Sequence, residues 1–214
     1  ERRAQALTLD RNLLRDLLGH AELRELLDLE AIDEVFEELQ ALNEDSHAAH
    51  EDALHDLVRR LGDLRTDEIQ KRSTGEAFEA LSDLEASRRL VEVRIAGESR
   101  WIVSEEAGLY RDALGVVPPP GLPTAYLNES TRPLEQLVTR FARTHTPFTT
   151  SEVAQRYGLR AQQVEPILRR LQEKRYLESG AFLPNGQESE WCTPEILRRI
   201  RRRSLAKLRG AVEP

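Results

Sequence analysis

Residues 91–104 read VEVRIAGESRWIVS, and the fold turns on them. Val91, Val93 and Ile95 alternate with Glu92 and Arg94, which is the period of a strand. A four-residue turn containing Gly97 separates them from Trp101 and Val103 on a returning segment. The stretch is therefore a two-stranded hairpin. Upstream of it, Leu54, Leu57, Val58 and Leu61 make one stripe on a helix that ends near Gly62. Thr66 is placed to N-cap the next helix, DEIQKRS, with Asp67 and Glu68 in the first turn, where the helix dipole favours acids. A third helix fits Glu76 to Leu90, with Phe78, Leu81 and Leu84 inward. Downstream, Ser104 is placed to cap EEAGLYRDALG. Three helices followed by a hairpin is the order of a winged helix, a helix-turn-helix variant.

The same order recurs after GVVPPPGLP. Pro118, Pro119 and Pro120 predict a stiff, extended linker without helix or ladder, running to about Thr131. Leu134, Leu137, Val138 and Phe141 then form a first helix. Thr149 and Glu152 make a capping box for SEVAQRYG. A third helix spans about Arg160 to Arg175, with Val164, Ile167, Leu168 and Leu171 inward. RYLESGAFLPNGQESEWCT is a second hairpin, turning at Asn185-Gly186, and Thr193-Pro194 opens a final helix as N-cap and N1. RWIVSEE and EWCTPEI correspond, each with a Trp in the returning strand. The repeat is about 80–90 residues long. Before the first module, Leu14, Leu17, Leu18, Leu23, Leu26 and Leu27 predict helix broken at Gly19. Ile32, Val35, Phe36 and Leu39 continue an amphipathic face.

The predicted fold is mainly α with small β-hairpin wings: tandem winged-helix modules after an N-terminal helical segment. The expected boundaries are a helical segment over 1–48, an acidic winged helix over 49–115, a Pro-rich linker over 116–131, and a second winged helix over 132–214 that ends in a basic helix.

The 214 residues contain no Met and begin Glu1-Arg2-Arg3, so a longer parent protein is expected. This length suits one or two domains of about 100–200 residues each. No apolar run approaches about 18 residues, so no membrane span or membrane partner is expected. The single Cys192 excludes an internal disulfide, gives no metal pattern and fits a reducing cytoplasm. Lys71, Lys174 and Lys207 are the only lysines, and the wealth of Arg, Ala and Leu points to a GC-rich bacterial genome. The net charge of −7 divides unevenly. Residues 1–129 carry −14, whereas residues 130–214 carry 16 Lys/Arg against 9 Asp/Glu. Only the second part suits a polyanion.

No phosphate-binding loop, GxxxxGK[ST] or GxGxxG, occurs in the sequence, so an ATPase site is not expected in this segment. His47, His50 and His55 are read as a solvated joint rather than metal ligands, which must converge in threes or fours. His20 and His145 stand alone, and no catalytic residue is expected. Trp101 and Trp191 are expected to plug their cores rather than to stack on bases.

Helix-turn-helix modules read DNA with the outer face of the third helix. In the second module that face offers Arg160, Gln162, Gln163, Pro166, Arg170 and Glu173, flanked by Arg169 and Lys174. Arg and Gln suit bidentate contacts to bases and phosphates. The matching helix of the first module offers Glu76, Glu79, Asp83 and Glu85, which repel phosphate. The terminal stretch PEILRRIRRRSLAKLR, residues 194–209, carries seven cations and one acid. Ile196, Ile200, Ser204 and Leu208, with Leu197 and Leu205 beside them, predict a packed stripe. Arg198, Arg199, Arg202 and Arg209 are expected to face outward, with Arg201, Arg203 and Lys207 on the flanks.

EWCTPEILRRIRRRSLAKLRGAVEP resembles the Lhr family, the large helicase-related proteins of bacteria. LLRDLLGHAELRELLDLEAI and GLYRDALGVVPPPGLP resemble it as well. The resemblance implies a parent that is a superfamily 2, ATP-dependent 3'-to-5' DNA helicase connected with DNA repair, with ATP and Mg in its motor core. It implies that this chain is the first part of a C-terminal extension rich in winged helices. The expected role is non-catalytic support of binding to single-stranded or duplex DNA, beside the helicase core of the same chain. The alternatives are a protein scaffold that forms a homo-oligomer and a winged-helix transcription regulator.

Overall fold

The computed structural model describes residues 27–183 and 189–212, with side chains to residue 209. The leucines before residue 27, the break at Gly19 and the turn at Asn185-Gly186 lie outside the described residues. Helix α1 (Leu29–Leu39) starts where the Asp28 carboxylate accepts the Ala31 amide at 2.8 Å. Its inner face buries Ile32 and Val35, with Phe36 and Leu39 half-buried.

The first module comprises α2 (Glu51–Leu61), α3 (Thr66–Gln70), α4 (Gly75–Glu79), α5 (Leu81–Ala86), β1 (Leu90–Ile95) and β2 (Glu98–Val103). The helix expected over Glu76–Leu90 is thus two short ones. It stops early because Arg88 takes a left-handed φ of 55° and Leu90 enters the ladder opposite Val103. Thr66 does not cap α3. Its hydroxyl accepts the indole N–H of Trp101 at 2.9 Å, and the Glu68 carboxylate takes the Arg65 amide at 2.8 Å instead. Ser104 does not cap either. It begins a 3-10 turn, Ser104–Glu106, ahead of α6 (Ala107–Leu114), and its buried hydroxyl has no partner among the described residues.

The second module comprises α7 (Pro133–Thr144), β3 (Phe148–Thr149), α8 (Thr150–Tyr157), α9 (Ala161–Glu173), β4 (Glu178–Gly180), β5 (Glu190–Cys192) and α10 (Pro194–Val212). Its strands pair antiparallel in the order β3-β5-β4. The capping box forms: Thr149 Oγ1 accepts the Glu152 amide at 3.2 Å and Glu152 Oε2 accepts the Thr149 amide at 2.6 Å. Thr193 Oγ1 accepts the Ile196 amide at 3.3 Å and caps α10.

The repeat is atomic at the tryptophans. Leu64 bridges Trp101 by two backbone bonds of 3.0 and 2.7 Å, as Phe148 pairs with Trp191. The Trp191 indole N–H donates to Thr150 Oγ1 at 3.0 Å, mirroring Trp101 and Thr66. Both rings are buried, at 8% and 5% exposure, so their polar edges need those partners.

The hairpin β1–β2 is apolar on both faces, and this fuses the modules. Leu90, Trp101 and Val103 face the first module's own core, with Leu54, Val58, Ile69 and Leu84. Val91, Val93, Ile95 and Ile102 face the opposite way, into a core shared with Tyr110, Leu137, Phe141, Val153 and Leu168. The run Trp101-Ile102-Val103 is continuous because both faces are covered. A third cluster holds α1 on α10: Leu27, Ile32 and Val35 meet Phe182, Cys192, Ile196, Leu197 and Ile200. Cys192 is fully buried there, and burial pushes its thiol pKa up.

The proline-rich connection is a strap rather than a free extended spacer. It contains a 3-10 turn, Thr124–Leu127, and lies against α6. Gly108 allows this contact, since a Cβ there would stand 2.7 Å from the Asn128 carbonyl and 2.9 Å from that of Tyr126. The Leu127 carbonyl accepts from Arg111 at 3.0 Å, and Asp112 accepts the Ser130 amide at 2.9 Å.

Candidate nucleic-acid interface

Arg160, Gln162 and Gln163 are exposed at the N-terminal end of α9. Gln163 is partly used locally, since its Oε1 accepts the Arg160 amide at 3.0 Å. The tip of the first wing sits beside them: a Cβ on Gly158 would stand 3.0 Å from Ala96. Further along, Arg169 pairs with Glu165 in the same helix. Arg170 and Lys174 reach back to one carboxylate on α7, Glu135, at 3.0 and 2.7 Å. Those two cations hold the Glu135 carboxyl below its ordinary pKa, Lys174 foremost. Exposed pairs of this kind contribute about 0–1 kcal/mol, so a phosphate can displace the carboxylate at little cost.

On α10 the cations divide. Arg198, Arg202 and Arg209 are exposed and have no carboxylate partner among the described residues. Arg199, expected to face outward, instead pairs with Glu38 of α1. Arg203 meets Glu38 at 2.7 Å and Glu34 at 3.5 Å, and Lys207 meets Glu30 at 2.7 Å and Glu34 at 2.6 Å. Burial raises the Glu38 pKa, but the hydrogen bond from Arg203 and the charge of Arg199 outweigh it and leave the carboxyl below its usual range. One edge of the basic helix is therefore neutralised by the acidic edge of α1. The apolar stripe ends at Ser204, whose hydroxyl donates to the Ile200 carbonyl at 3.0 Å and accepts the Asp28 amide at 3.0 Å. Leu205 and Leu208, expected in that stripe, are 48% and 53% exposed.

Two further cations lie near the start of α10, and sequence reading did not find them. Arg143 lies in the last turn of α7 and Arg175 follows α9; with Arg198 and Arg199 they line a cavity of about 650 Å³. No spacing links residues on three separate elements, although each is an arginine outside the apolar stripe of its helix. Arg160 is far from this cavity, because α9 is 13 residues, or about 20 Å, long.

The three histidines of the joint are used separately. His50 Nδ1 accepts the Ala53 amide, His47 approaches the Leu42 carbonyl, and His55 is buried beside Glu105. On the first module, Glu76, Glu79, Asp83 and Glu85 are all exposed, so this face is acidic.

Residues 25–129 match the winged-helix domain of large helicase-related protein. The whole chain is 40% identical, over 215 residues, to a Mycolicibacterium smegmatis protein named Lhr helicase/probable uracil glycosylase. It is 38% identical, over 217 residues, to Lhr helicase/uracil glycosylase of Escherichia coli K12. The chain belongs to the Lhr family. It spans 14% of the length of each of these relatives. The matched Lhr domain takes in α1 and most of the strap together with the first module. The strap packs on α6 of that module, whereas the apolar face of α1 packs on α10 of the second. No described helix is long and apolar enough to cross a membrane.

Proposed function

We propose that this Lhr segment is a non-catalytic winged-helix region that supports nucleic-acid binding by an ATP-dependent DNA helicase. The observation that carries this reading is the distribution of unpaired charge. The guanidinium groups of Arg143, Arg160, Arg175, Arg198, Arg202 and Arg209 have neither a carboxylate nor a carbonyl partner among the described residues, and all belong to the second module. Arg60, Arg88 and Arg94 of the first module also lack a carboxylate, but each donates to a main-chain carbonyl. The equivalent surface of the first module carries carboxylates, so only one side of the molecule attracts phosphate. In this reading the segment belongs to the C-terminal extension of a cytoplasmic bacterial protein acting in DNA repair. ATP and Mg²⁺ serve a motor with 3'-to-5' polarity elsewhere in the parent chain, and the uracil glycosylase named for both relatives is likewise placed outside this segment.

Fluorescence anisotropy with labelled single-stranded and duplex DNA tests it. Binding should weaken steeply with salt, by about 0.7 in log K per log salt for each single-strand phosphate contacted. Arg198→Ala with Arg202→Ala should weaken it further, and Arg199→Ala less, because Arg199 already serves Glu38. Absence of salt-dependent binding to either DNA ends this reading.

A scaffold role is favoured by a different observation. Leu29, Leu205 and Leu208 are about half exposed, and the Lys207–Glu30 pair brings Leu29 and Leu208 to the same end of the α1–α10 pair. Light scattering should then show association that rises with concentration and is lost in Leu205→Glu/Leu208→Glu. A concentration-independent monomer removes the scaffold.

A further inference from the structure

Most cations among the described residues are committed. Arg65, Arg89, Arg100, Arg140, Arg156 and Arg203, among others, each bind a carboxylate. Arg143, Arg175 and Arg198 do not, yet they come from three separate elements and line one cavity of about 650 Å³. Like charges that outnumber the acid beside them repel one another, and folding alone gives no reason to gather them. The wall between them is formed by the half-buried ring of Tyr176 and by the first turn of α10. That turn is the N-terminal end of a 19-residue helix, where the partial positive charge of the backbone adds to the guanidinium groups. Arg199 lines the same cavity, with its charge shared with Glu38, and Glu195 is the one acid on the wall.

We propose that this cavity binds a backbone phosphate of nucleic acid, at a point separate from the exposed end of α9 that carries Arg160 and Gln162. The proposal rests on the nucleic-acid reading above and deepens it. Three arginines lining one cavity from separate elements can offer guanidinium donors to the oxygens of a phosphodiester and present no pattern that distinguishes bases. The cavity therefore fixes the register of the strand and leaves sequence unread. It also locates the contact outside the recognition face that helix-turn-helix modules ordinarily use.

The test uses the whole 214-residue chain and a labelled oligodeoxynucleotide, with inorganic phosphate as a competitor. The triple variant Arg143→Gln/Arg175→Asn/Arg198→Gln removes the three charges; Asn suits the φ of 58° at residue 175. None of the three has a hydrogen-bond or ion-pair partner to lose among the described residues, so the melting temperature should stay near that of the parent chain. Affinity for the oligonucleotide should fall at least about tenfold, and the salt slope should lessen by about 1 or more. Glu195→Gln, which removes the opposing charge, should tighten binding severalfold and serves as the check if the triple variant is damaged. If the oligonucleotide binds and neither change alters affinity or slope, the cavity is not the contact, and the broader reading survives. If the oligonucleotide does not bind at all, both fail. Competition by inorganic phosphate at the oligonucleotide's own affinity would assign the cavity to a free anion and overturn the proposal.

Discussion

Arg156 of the second module binds Asp63 of the first, Nε to Oδ2 at 3.1 Å, where Asp63 is 3% exposed. Arg100 donates to the same oxygen at 2.6 Å and is equally buried, and Tyr110 donates to the other oxygen at 3.4 Å. Arg156 continues to Glu68 at 2.8 Å. Gln40 extends this polar seam, since it accepts from Arg72 at 2.9 Å and donates to the Thr144 carbonyl at 2.7 Å. The join between modules is thus a buried network laid beside the shared apolar core. Removing one member leaves a buried charge without its partner, which costs about 3–5 kcal/mol. Asp63→Ala should lower the urea midpoint by that equivalent. A two-step denaturation curve in the parent chain would show that the modules unfold independently, contrary to one shared core.

A second prediction concerns pH. His145 stacks on Phe141 with ring centroids 3.6 Å apart, and its Nδ1–H donates to the Phe141 carbonyl at 2.8 Å. Burial, aided by the charges of Arg156 and Arg72, lowers its pKa to about 4. Its folded pKa is below the unfolded value near 6.5, so protons bind the unfolded chain preferentially between those values. The stability His145 contributes is therefore complete above about pH 6.5 and is lost as pH falls toward 4. The loss between pH 7 and pH 4 is about 3 kcal/mol, because each pKa unit corresponds to about 1.4 kcal/mol and the folded group is half titrated at pH 4. The stability difference between the parent chain and His145→Leu, followed by denaturation from pH 7 to pH 4, should narrow by that amount. A constant difference would show that His145 does not titrate with unfolding.

Gly108 carries a third prediction. A methyl group there meets two strap carbonyls at 2.7 and 2.9 Å, and backbone cannot yield as a side-chain tip can. Gly108→Ala should cost about 1–3 kcal/mol, the range for overpacking. It should also speed proteolysis within residues 116–131 as the strap lifts from α6. Unchanged melting and cleavage would mean that the strap does not pack on α6.

The tryptophan bonds give a fourth. Thr66→Val and Thr150→Val each leave an indole N–H without its partner, and each should cost about 1–2 kcal/mol. The two changes are far apart in sequence but equivalent in the repeat, so their melting shifts should agree. A large effect at one and none at the other would show that the two modules do not share this anchor energetically.

Much of this architecture is legible in the letters. Helix stripes, the capping box at Thr149 and Glu152, and the recurrence of Trp101 and Trp191 depend on residues close in sequence, and local patterns report them faithfully. Two capping assignments fail for the opposite reason: the Thr66 hydroxyl is claimed by Trp101, and that of Ser104 is buried without a partner. The alternation of Val91, Val93 and Ile95 announces a buried face without naming what covers it. The continuous run Trp101-Ile102-Val103 was the available sign that both faces are covered. On the basic helix, the stripe through Ile196 and Ile200 is visible, but the pairing of Arg199 and Arg203 with Glu38 joins residues more than 160 positions apart. Arg143 and Arg175 have no signature at all, because their meeting with Arg198 is created by the packing of three elements.

Cys192 lies beneath α1 in the cluster that joins it to α10, and it is the only cysteine of the chain. A thiol must ionise and be reached before a disulfide reagent can attack it, and burial denies it both. Each molecule can therefore be marked once, and only after this corner of the structure has opened. The rate of marking, set against that of global unfolding, measures how often α1 lifts from α10 while the rest of the fold stays closed. The chain thus contains its own clock for the joint between its first described helix and its last.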